Sequence, residues 1–306
     1  MNIAIIGSNG FIGSHLIQHI SQNGGHHVYL FGKNKINRLN NDLPYYQIDS
    51  LDKDEFDSIF SKIDIVYYLA SATIPSSSWE NPSIEIENNL IPFLSFIDNV
   101  STLTIKKIVF VSSAGTVYGP SLQKVKEDAD KNPFSPYGII KLTIEHFLNY
   151  NKLKNGINFD IYRISNAYGE GQDTSKGLGI INTFIENIIR KGQVQIYGDG
   201  NNVRNYIYIH DVAKLLSHSI NSELSKSNIY NLGSDDTITV NQLIETLKTV
   251  IPIEFKVTYL ESRKSDNTII EIDNSKLLKS ISNFKFTSIQ QGILQTYNFI
   301  KLQKNE

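Results

Sequence analysis

The sequence predicts a doubly wound α/β fold, in which helices cover both faces of a parallel sheet. Short apolar runs rich in β-branched residues alternate with longer segments of helical period, which is typical of successive β-α units. A glycine-rich turn from Gly7 to Gly13 separates the first apolar run from the first helical segment. The chain has 306 residues, of which 40% are hydrophobic, so it is long enough for about two domains with a sizeable core.

The β-α alternation is regular over the first half of the chain. A first strand is predicted at 3–6, followed by a helix over 11–23 that ends at Gly24 and Gly25. Further strands are predicted at 28–31, 65–69, 107–111 and 159–164, with helices around 88–101 and 137–152. Units in this order place a ligand site at the carboxyl ends of the strands.

The alternation ends near residue 166, where a glycine-rich passage begins. A helix at 180–191, a turn at 198–200 and a strand at 203–209 follow. We therefore predict two domains with a smaller C-terminal α/β substrate lobe. The dinucleotide-binding domain would comprise 1–165 with 205–227 returning to it, and the lobe 166–204 and 228–306.

Composition and charge exclude several classes of function. The formal net charge is −2, which gives no basic surplus for nucleic acid or an anionic membrane. There is no cysteine, hence no disulfide or thiolate chemistry. His15 and His19 have helical spacing, but Leu16 stands where the zinc-protease signature needs Glu, so we predict no metal. With no leader and no apolar run of about 20 residues, a cytoplasmic location is expected.

The glycine-rich turn predicts a dinucleotide site. Residues without a Cβ let backbone N–H groups and the helix N-terminus approach a pyrophosphate, and a third glycine lets the helix pack closely on the sheet. A three-glycine pattern alone also fits a plain turn. Its place between the first strand and the first helix favours the cofactor.

The end of the second predicted strand bears on the choice of cofactor. A carboxylate there holds the ribose 2′-hydroxyl of NAD and repels the 2′-phosphate of NADP. In this chain the position is Gly32, followed by Lys33, Lys35 and Arg38. A solvated basic loop would explain these cations equally. The pattern favours NADP(H), or use of both NAD and NADP(H).

Tyr137 and Lys141 form a candidate catalytic pair on one helix face. A lysine ammonium and a positive nicotinamide would both favour the phenolate, so the pKa of Tyr137 is expected to fall. The phenol could then take a hydroxyl proton from a sugar. The spacing also occurs after Tyr29, Tyr150 and Tyr297, so context distinguishes the pair: Ser135-Pro136 starts its helix.

Several motifs follow one another in a shared order and spacing. After the glycine-rich turn come Leu69-Ala70-Ser71, Asn88-Asn89, Ser112 to Gly119, the Tyr137/Lys141 pair, Arg163 to Gly169, Arg204 to Asp211 and Asn231-Leu232-Gly233. In this order they resemble the extended short-chain dehydrogenase/reductase family, in particular its members similar to UDP-glucose 4-epimerase. The resemblance extends to about residue 277 and implies a Rossmann-type fold.

The resemblance implies roles for individual residues. Lys141 would contact the nicotinamide ribose and Asp49 the adenine. The cofactor site would comprise Gly7, Asn9, Gly10, Phe11, Ile12, Gly13, Gly32, Lys33, Asp49, Leu69, Ala70, Ser71, Thr73, Asn89, Ser112, Tyr137, Lys141 and Ser165. The substrate, a UDP-, dTDP- or GDP-linked sugar, would be held by Ser113, Asn166, Arg204, Tyr206, Arg263 and Asp266. A guanidinium fork such as that of Arg204 suits phosphate oxygens.

Two positions depart from the family's pattern. The usual catalytic Ser or Thr falls on Ala114, which cannot form a side-chain hydrogen bond. Either Ser113 or Thr116 would replace it, or catalysis relies on the tyrosine. Gly32 stands where tightly NAD-bound epimerases of this type usually have an acid.

The resemblance leaves several functions open. An epimerase acting at C4 of a nucleoside diphosphate hexose is favoured. A reductase of a 4-keto-6-deoxy sugar, which consumes NADPH, would suit Gly32 and Lys33. A 4,6-dehydratase would usually have an acid after its catalytic Thr, where Gly115 and Thr116 lie here. A non-catalytic dinucleotide sensor has little need of the Tyr137/Lys141 pair. A homodimer and a role in polysaccharide biosynthesis are further expectations from the family.

Overall fold

The computed structural model describes residues 1–37, 39, 42–73, 78–120, 124–175, 177, 179–262, 271–281 and 283–303. The strands are β1 (Asn2–Ile6), β2 (His27–Gly32), β3 (Tyr45–Gln47), β4 (Ile65–Tyr68), β5 (Lys107–Ser113), β6 (Asn158–Ile164), β7 (Asn166–Tyr168), β8 (Gln193–Tyr197), β9 (Val203–Tyr208), β10 (Asn228–Leu232), β11 (Thr237–Thr239) and β12 (Lys256–Leu260). The helices are α1 (Phe11–Asn23), α2 (Lys53–Phe60), α3 (Pro82–Glu85), α4 (Ile91–Val100), α5 (Ala114–Val117), α6 (Pro136–Asn155), α7 (Ile180–Lys191), α8 (Ile209–Leu216), α9 (His218–Asn221), α10 (Val240–Val250), α11 (Ser275–Ser280) and α12 (Ile289–Leu302).

A seven-stranded sheet forms the centre of the fold, in the order β10-β6-β5-β4-β1-β2-β3. β1 pairs in parallel with both β2 and β4, so that Ile5 lies opposite Leu30 on one side and Tyr67 on the other. The strand order changes direction between β1 and β4, which is the switch point where such sheets bind ligands. The predicted Rossmann-type doubly wound fold is confirmed.

The central strands are apolar on both sides because helices cover both faces of the sheet. Residues 3–6 of β1 are all buried. On one face the aromatic rings of Phe31, Phe60 and Phe96 pack together, with ring centroids of Phe31 and Phe60 4.8 Å apart. This packing fixes β2 against the helices α2 and α4.

The helices around the site begin at recognisable caps. Ser135 accepts a hydrogen bond from the Gly138 backbone and precedes Pro136, whose fixed φ suits a first helical turn. α2 starts with a capping box between Asp52 and Glu55. α1 differs, since its N-cap is Gly10 and no side chain caps it. The start of α1 thus has no side-chain acceptor competing for its N–H groups.

The segment before α4 departs from the predicted single helix over 88–101. Residues Ile86–Leu90 form a π-helical turn, and α4 then begins with Pro92 in its first turn. Proline has no N–H to donate to the carbonyl four residues earlier, so the regular α-helical hydrogen bonding is interrupted here. Asn89 lies within this wider turn.

Lys107 and Asp160 form an ion pair that is fully buried between β5 and β6. Lys107 Nζ lies 2.9 Å from Asp160 Oδ2 and also donates to Ser222 Oγ and the Glu223 carbonyl. Asp160 accepts further hydrogen bonds from Ser219 and Asn228. Because both charges are saturated with partners, the pair is tolerated in the core.

The chain forms two compact units. The first contains residues 1–117, 131–163 and 213–230, and the second contains 118–130, 164–212 and 231–306. Beyond Ile164, the second unit has a three-stranded sheet, β11-β9-β7, and a two-stranded sheet of β12 and β8. Its assignment as the nucleotide-sugar lobe stays a prediction. Among the described residues, no helix is long and apolar enough to span a membrane.

Candidate active site

The glycine-rich turn is packed so closely that side chains would not fit. Gly7 has φ +90°, and a Cβ there would lie 2.8 Å from the Ala70 backbone nitrogen. A Cβ on Gly13 would lie 2.4 Å from the Gly7 carbonyl oxygen. The turn therefore needs glycine at both positions, and it leads into the uncapped start of α1. Such a cradle fits the pyrophosphate of a dinucleotide.

Tyr45 occupies the space beside Gly32 at the end of β2. A Cβ on Gly32 would lie 2.5 Å from the Tyr45 hydroxyl, which donates to the Asn34 carbonyl. Asn9 Nδ2 donates to the same hydroxyl at 3.1 Å and to the Ile36 carbonyl at 3.2 Å. An acid at position 32 would thus displace Tyr45. Sequence reasoning missed Tyr45, because its strand comes thirteen positions after Gly32.

Asn89 links the π-helical turn to the loop that follows β4. Its Oδ1 accepts from the Ala72 backbone at 2.9 Å, and its Nδ2 donates to Thr73 Oγ1 at 2.7 Å. Ser71 Oγ in turn donates to the Thr73 carbonyl. Leu69 and Ala70 precede this loop and lie against Gly7. The predicted groove residues 69–73 and Asn89 are therefore adjacent.

Tyr137 and Lys141 lie one turn apart on α6. Lys141 is buried, and its Nζ donates to the Val111 carbonyl of β5 at 3.1 Å. The same ammonium lies 5.4 Å from the centre of the Tyr137 ring and 5.0 Å from that of Phe110. Anchoring to β5 holds Lys141 in one position relative to the phenol.

The local environment shifts the pKa of both groups. Burial raises the pKa of Tyr137 to about 12; a hydrogen bond with Ser71 lowers it, and the negative charge of Glu85 raises it further. Burial lowers the pKa of Lys141 to about 8, against the charges of Glu85 and Glu145. The expected fall in the pKa of Tyr137 is wrong for the protein alone, because burial of the phenol dominates.

The hydroxyl groups near Ala114 differ in their availability. Ser112 Oγ donates to Glu145 at 2.6 Å and is turned into the interior. Thr116 Oγ1 faces the Ser113 carbonyl at 3.5 Å. Ser113 is half-buried at the end of β5. Of the two predicted substitutes for the missing hydroxyl, Ser113 is therefore the more accessible.

The predicted substrate residues of the second unit lie on adjacent strands. Asn166 on β7 pairs with Tyr206 on β9, and Asn166 Nδ2 donates to the Asn205 carbonyl at 2.8 Å. Arg204 is half-buried and donates to the Val203 carbonyl. Burial raises the pKa of Tyr206, whereas the charge of Arg204 lowers it. The Ser165 hydroxyl is buried without a hydrogen-bond partner in the described chain.

The remaining predicted site residues are exposed, lie at the start of α1, or fall outside the described residues. Asp49 is exposed in a single 3₁₀ turn, Ile48–Ser50, and Lys33 is exposed beyond β2. Phe11 and Ile12 open α1. Arg263 and Asp266 lie outside the described residues. The expectation that the site holds no metal ion stays a prediction.

Comparison with known proteins identifies the family. The NAD dependent epimerase/dehydratase family matches residues 3–233. A protein of Methanocaldococcus jannaschii, provisionally named UDP-glucose 4-epimerase, is 32% identical over 98% of each chain. This chain belongs to the NAD dependent epimerase/dehydratase family.

The chain is also similar to a solved epimerase structure and to a reductase. The structure of a UDP-glucose 4-epimerase from Thermotoga maritima with UDP-glucose has a TM-score of 0.90 at 28% identity, covering 99% of this chain and 100% of that one. A dTDP-4-dehydro-6-deoxyglucose reductase of Escherichia coli is 32% identical over 83% of this chain and 81% of its own length. The family resemblance seen in the motifs is confirmed.

The family's description bears on the cofactor. It names NAD, which agrees with the prediction of NAD or NADP(H). The glycine cradle of this epimerase/dehydratase provides the close backbone approach that the dinucleotide needs. The roles of the individual site residues stay predictions.

Proposed function

We propose that this protein is a UDP-sugar 4-epimerase that uses NAD. The observation that carries the proposal is the placement of Tyr137 and Lys141 in one compact unit with the glycine cradle. The similarity to UDP-glucose 4-epimerases over nearly the whole chain supports the same activity. Among the predicted UDP-, dTDP- and GDP-linked sugars, we propose the UDP-linked ones.

When bound, NAD supplies a reversible hydride acceptor for C4 of the sugar. Tyr137 takes the proton of the C4 hydroxyl and later returns it. Burial opposes the phenolate, so the positive charges at the site must offset that cost. Lys141 provides one of them, since its ammonium lies 5.4 Å from the phenol ring.

The other residues bind and orient. We propose that Ser113 hydrogen-bonds the reacting hydroxyl in place of the residue missing at Ala114. Its hydroxyl lies at the end of β5, the strand whose Val111 carbonyl holds Lys141. On the second unit, Arg204 and Asn166 would hold the diphosphate, because a guanidinium pairs well with phosphate oxygens.

The activity can be tested directly. Purified protein is incubated with UDP-glucose, and UDP-galactose formation is measured together with the absorbance of reduced cofactor. Product without net cofactor reduction would support the proposal. If no UDP-hexose reacts while NADPH is oxidised by a nucleotide-linked 4-keto sugar, the epimerase proposal is wrong.

A reductase is the second candidate. Gly32 and Tyr45 leave the end of β2 without a carboxylate, so nothing at that position repels a 2′-phosphate. The similarity to a dTDP-4-dehydro-6-deoxyglucose reductase supports the same possibility. If the protein is such a reductase, it should bind NADPH more tightly than NADH. Fluorescence titration of the protein with each cofactor measures this.

We also propose a homodimer. The helices α4 and α6 expose large apolar side chains, namely Ile91, Ile139 and Leu153, which are 54%, 48% and 80% exposed. Apolar patches of this kind mark association surfaces. Sedimentation should show a dimer that Leu153→Glu weakens.

The cytoplasmic location and the role in polysaccharide biosynthesis stay predictions from the sequence.

A further inference from the structure

Glu85 is a buried carboxyl group beside the catalytic pair that the proposed mechanism does not use. It ends α3, which packs against α6, and it is only 1% exposed. Its charge acts on both Tyr137 and Lys141. Glu85 Oε1 is buried and has no hydrogen-bond partner in the described part of the chain. Since buried polar atoms are nearly always paired, this one requires an explanation.

The second oxygen of Glu85 fixes the orientation of Asn89. Asn89 Nδ2 donates to Glu85 Oε2 at 3.0 Å and to Thr73 Oγ1, which uses both of its hydrogens. The amide oxygen must then face Ala72, whose N–H it accepts. The loop held in this way includes Ser71, whose hydroxyl lowers the pKa of Tyr137. Hydrogen bonds thus connect Glu85, through Asn89, to the loop that carries Ser71.

The other charged groups around α6 have ion-pair partners or are exposed, although the charge of Glu145 also raises the pKa of Lys141, less than that of Glu85 does. Glu145 is bound by Arg163 at 2.7 Å and by Ser112. Lys107 on β5 pairs with Asp160. The remaining acids of the packed elements, Glu87 in the π-helical turn and Asp98 on α4, are exposed. Within the described residues, Glu85 is the buried acid near Lys141 that has no cation within ion-pair distance.

We propose that Glu85 is a positioning residue of the catalytic centre. Its buried carboxylate is the counter-charge that keeps Lys141 an ammonium, and through Asn89 it sets the loop that contacts Tyr137. A negative charge in a poorly solvated site favours the protonated amine, whereas burial alone disfavours it. The inference rests on the proposed function for the roles of Tyr137 and Lys141.

The charge of Glu85 favours the ammonium of Lys141 but disfavours the phenolate of Tyr137. A neighbouring carboxylate disfavours the phenolate, so Glu85 raises the pKa of Tyr137 as it raises that of Lys141. Removing the charge should therefore lower both pKa values together. A purely structural role for Glu85 would reduce stability without moving either titration.

The test compares three variants. Glu85→Gln keeps the shape and an acceptor for Asn89 but removes the charge, and Glu85→Asp keeps the charge. Glu87→Gln is the matched control, because it removes an exposed acid two positions later. Carbon NMR of cofactor-free protein labelled at the lysine ε-carbon follows Lys141, whose resonance is assigned with Lys141→Arg. The pH profile of UDP-glucose epimerisation is measured alongside.

In Glu85→Gln the Lys141 titration should move down by about one pH unit, and both limbs of the activity profile should move in the same direction. Glu87→Gln should change neither the Lys141 titration nor the pH profile of activity. An unshifted Lys141 titration in folded Glu85→Gln overturns the proposal. If that variant does not fold, Glu85→Asp decides: its carboxylate is drawn back by one methylene, so the Lys141 titration should move down by a smaller step, and an unshifted or upward titration contradicts the role.

Failure of the proposed function is distinguishable from failure of this inference. The lysine titration needs neither substrate nor cofactor, so it reports on Glu85 even when no UDP-sugar reacts. Conversely, suppose that the protein epimerises UDP-glucose while Glu85→Gln leaves the Lys141 titration unchanged. That result would support the proposed function and contradict the proposed role of Glu85.

Discussion

Lys141 Nζ lies 5.4 Å from the centre of the Tyr137 ring while it donates a hydrogen bond to the Val111 carbonyl at 3.1 Å. The helix therefore supplies the spacing of the pair, and β5 supplies its anchor. Three other Tyr residues have a Lys four positions later, and two of those pairs, Tyr150/Lys154 and Tyr297/Lys301, also bring the ammonium over the ring. The tertiary setting at the end of the sheet distinguishes Tyr137 from them.

Replacing Tyr137 by Phe should abolish most of the turnover. The phenol is the proposed proton acceptor, and general acid–base groups contribute about 10²–10⁴-fold to rate. Binding of NAD, measured by calorimetry, should persist, because the glycine cradle is untouched. Tyr150→Phe is the matched control, since Tyr150 lies over Lys154 on the same helix but is exposed. Full turnover by Tyr137→Phe would refute the assigned base.

Activity should decrease as the pH rises through about 8. Burial lowers the pKa of Lys141 to about 8, so its ammonium is present below that pH and lost above it. The charge stabilises the phenolate, so its loss should reduce kcat. A pH–rate profile of the wild-type protein checks this. Lys141→Arg, where it remains active, should lack the alkaline limb because a guanidinium stays charged.

Substituting Gly13 by Ala should weaken cofactor binding by at least about tenfold. The new Cβ would lie 2.4 Å from the Gly7 carbonyl, so the turn that receives the pyrophosphate must move. Gly25→Ala is the control, since its Cβ would meet open space away from the turn; its φ of +77° adds a backbone cost that Gly13 does not have, so this control has the greater strain. Equal NAD affinities for the two variants would contradict the proposal that the glycine-rich turn binds the pyrophosphate.

Ser113→Ala should reduce kcat more than Thr116→Ala does. Thr116 Oγ1 faces the Ser113 carbonyl inside the short helix α5, whereas Ser113 lies half-buried at the end of β5. Loss of a hydrogen bond to the reacting group costs roughly 10²-fold or more when it forms in the transition state. Steady-state kinetics on UDP-glucose distinguish the two, and a larger loss in Thr116→Ala would reverse the assignment.

Asp160→Asn should destabilise the protein by about 3–5 kcal/mol, because it leaves the fully buried Lys107 charge without its partner. Urea unfolding measures the loss. The adjacent Lys106, which pairs with Asp64 at the surface, provides the control. Lys106→Met should cost less than about 1 kcal/mol. Similar losses in the two variants would show that burial of the first pair is unimportant.

Local pattern accounts well for the longer elements of the first 191 residues. The predicted helices over 11–23 and 180–191 coincide with α1 and α7, and the predicted strands begin within one residue of β1, β2, β4, β5 and β6. Glycines and Pro136 mark these boundaries through backbone geometry alone. Six strands were missed, namely β3, β7, β8, β10, β11 and β12. Three of them, β3, β7 and β11, have only three residues, which carry too little periodicity to be recognised.

The sequence by itself determined the alternating strands and helices, the glycine turn and the Tyr137/Lys141 spacing, because each depends on residues near one another in the chain. Only the tertiary structure placed Tyr45 against Gly32 and Glu85 beside Lys141. The members of these two pairs are 13 and 56 positions apart in the chain. Burial and charge at a site depend on such distant neighbours, so the direction of the Tyr137 pKa shift emerged only from the folded chain.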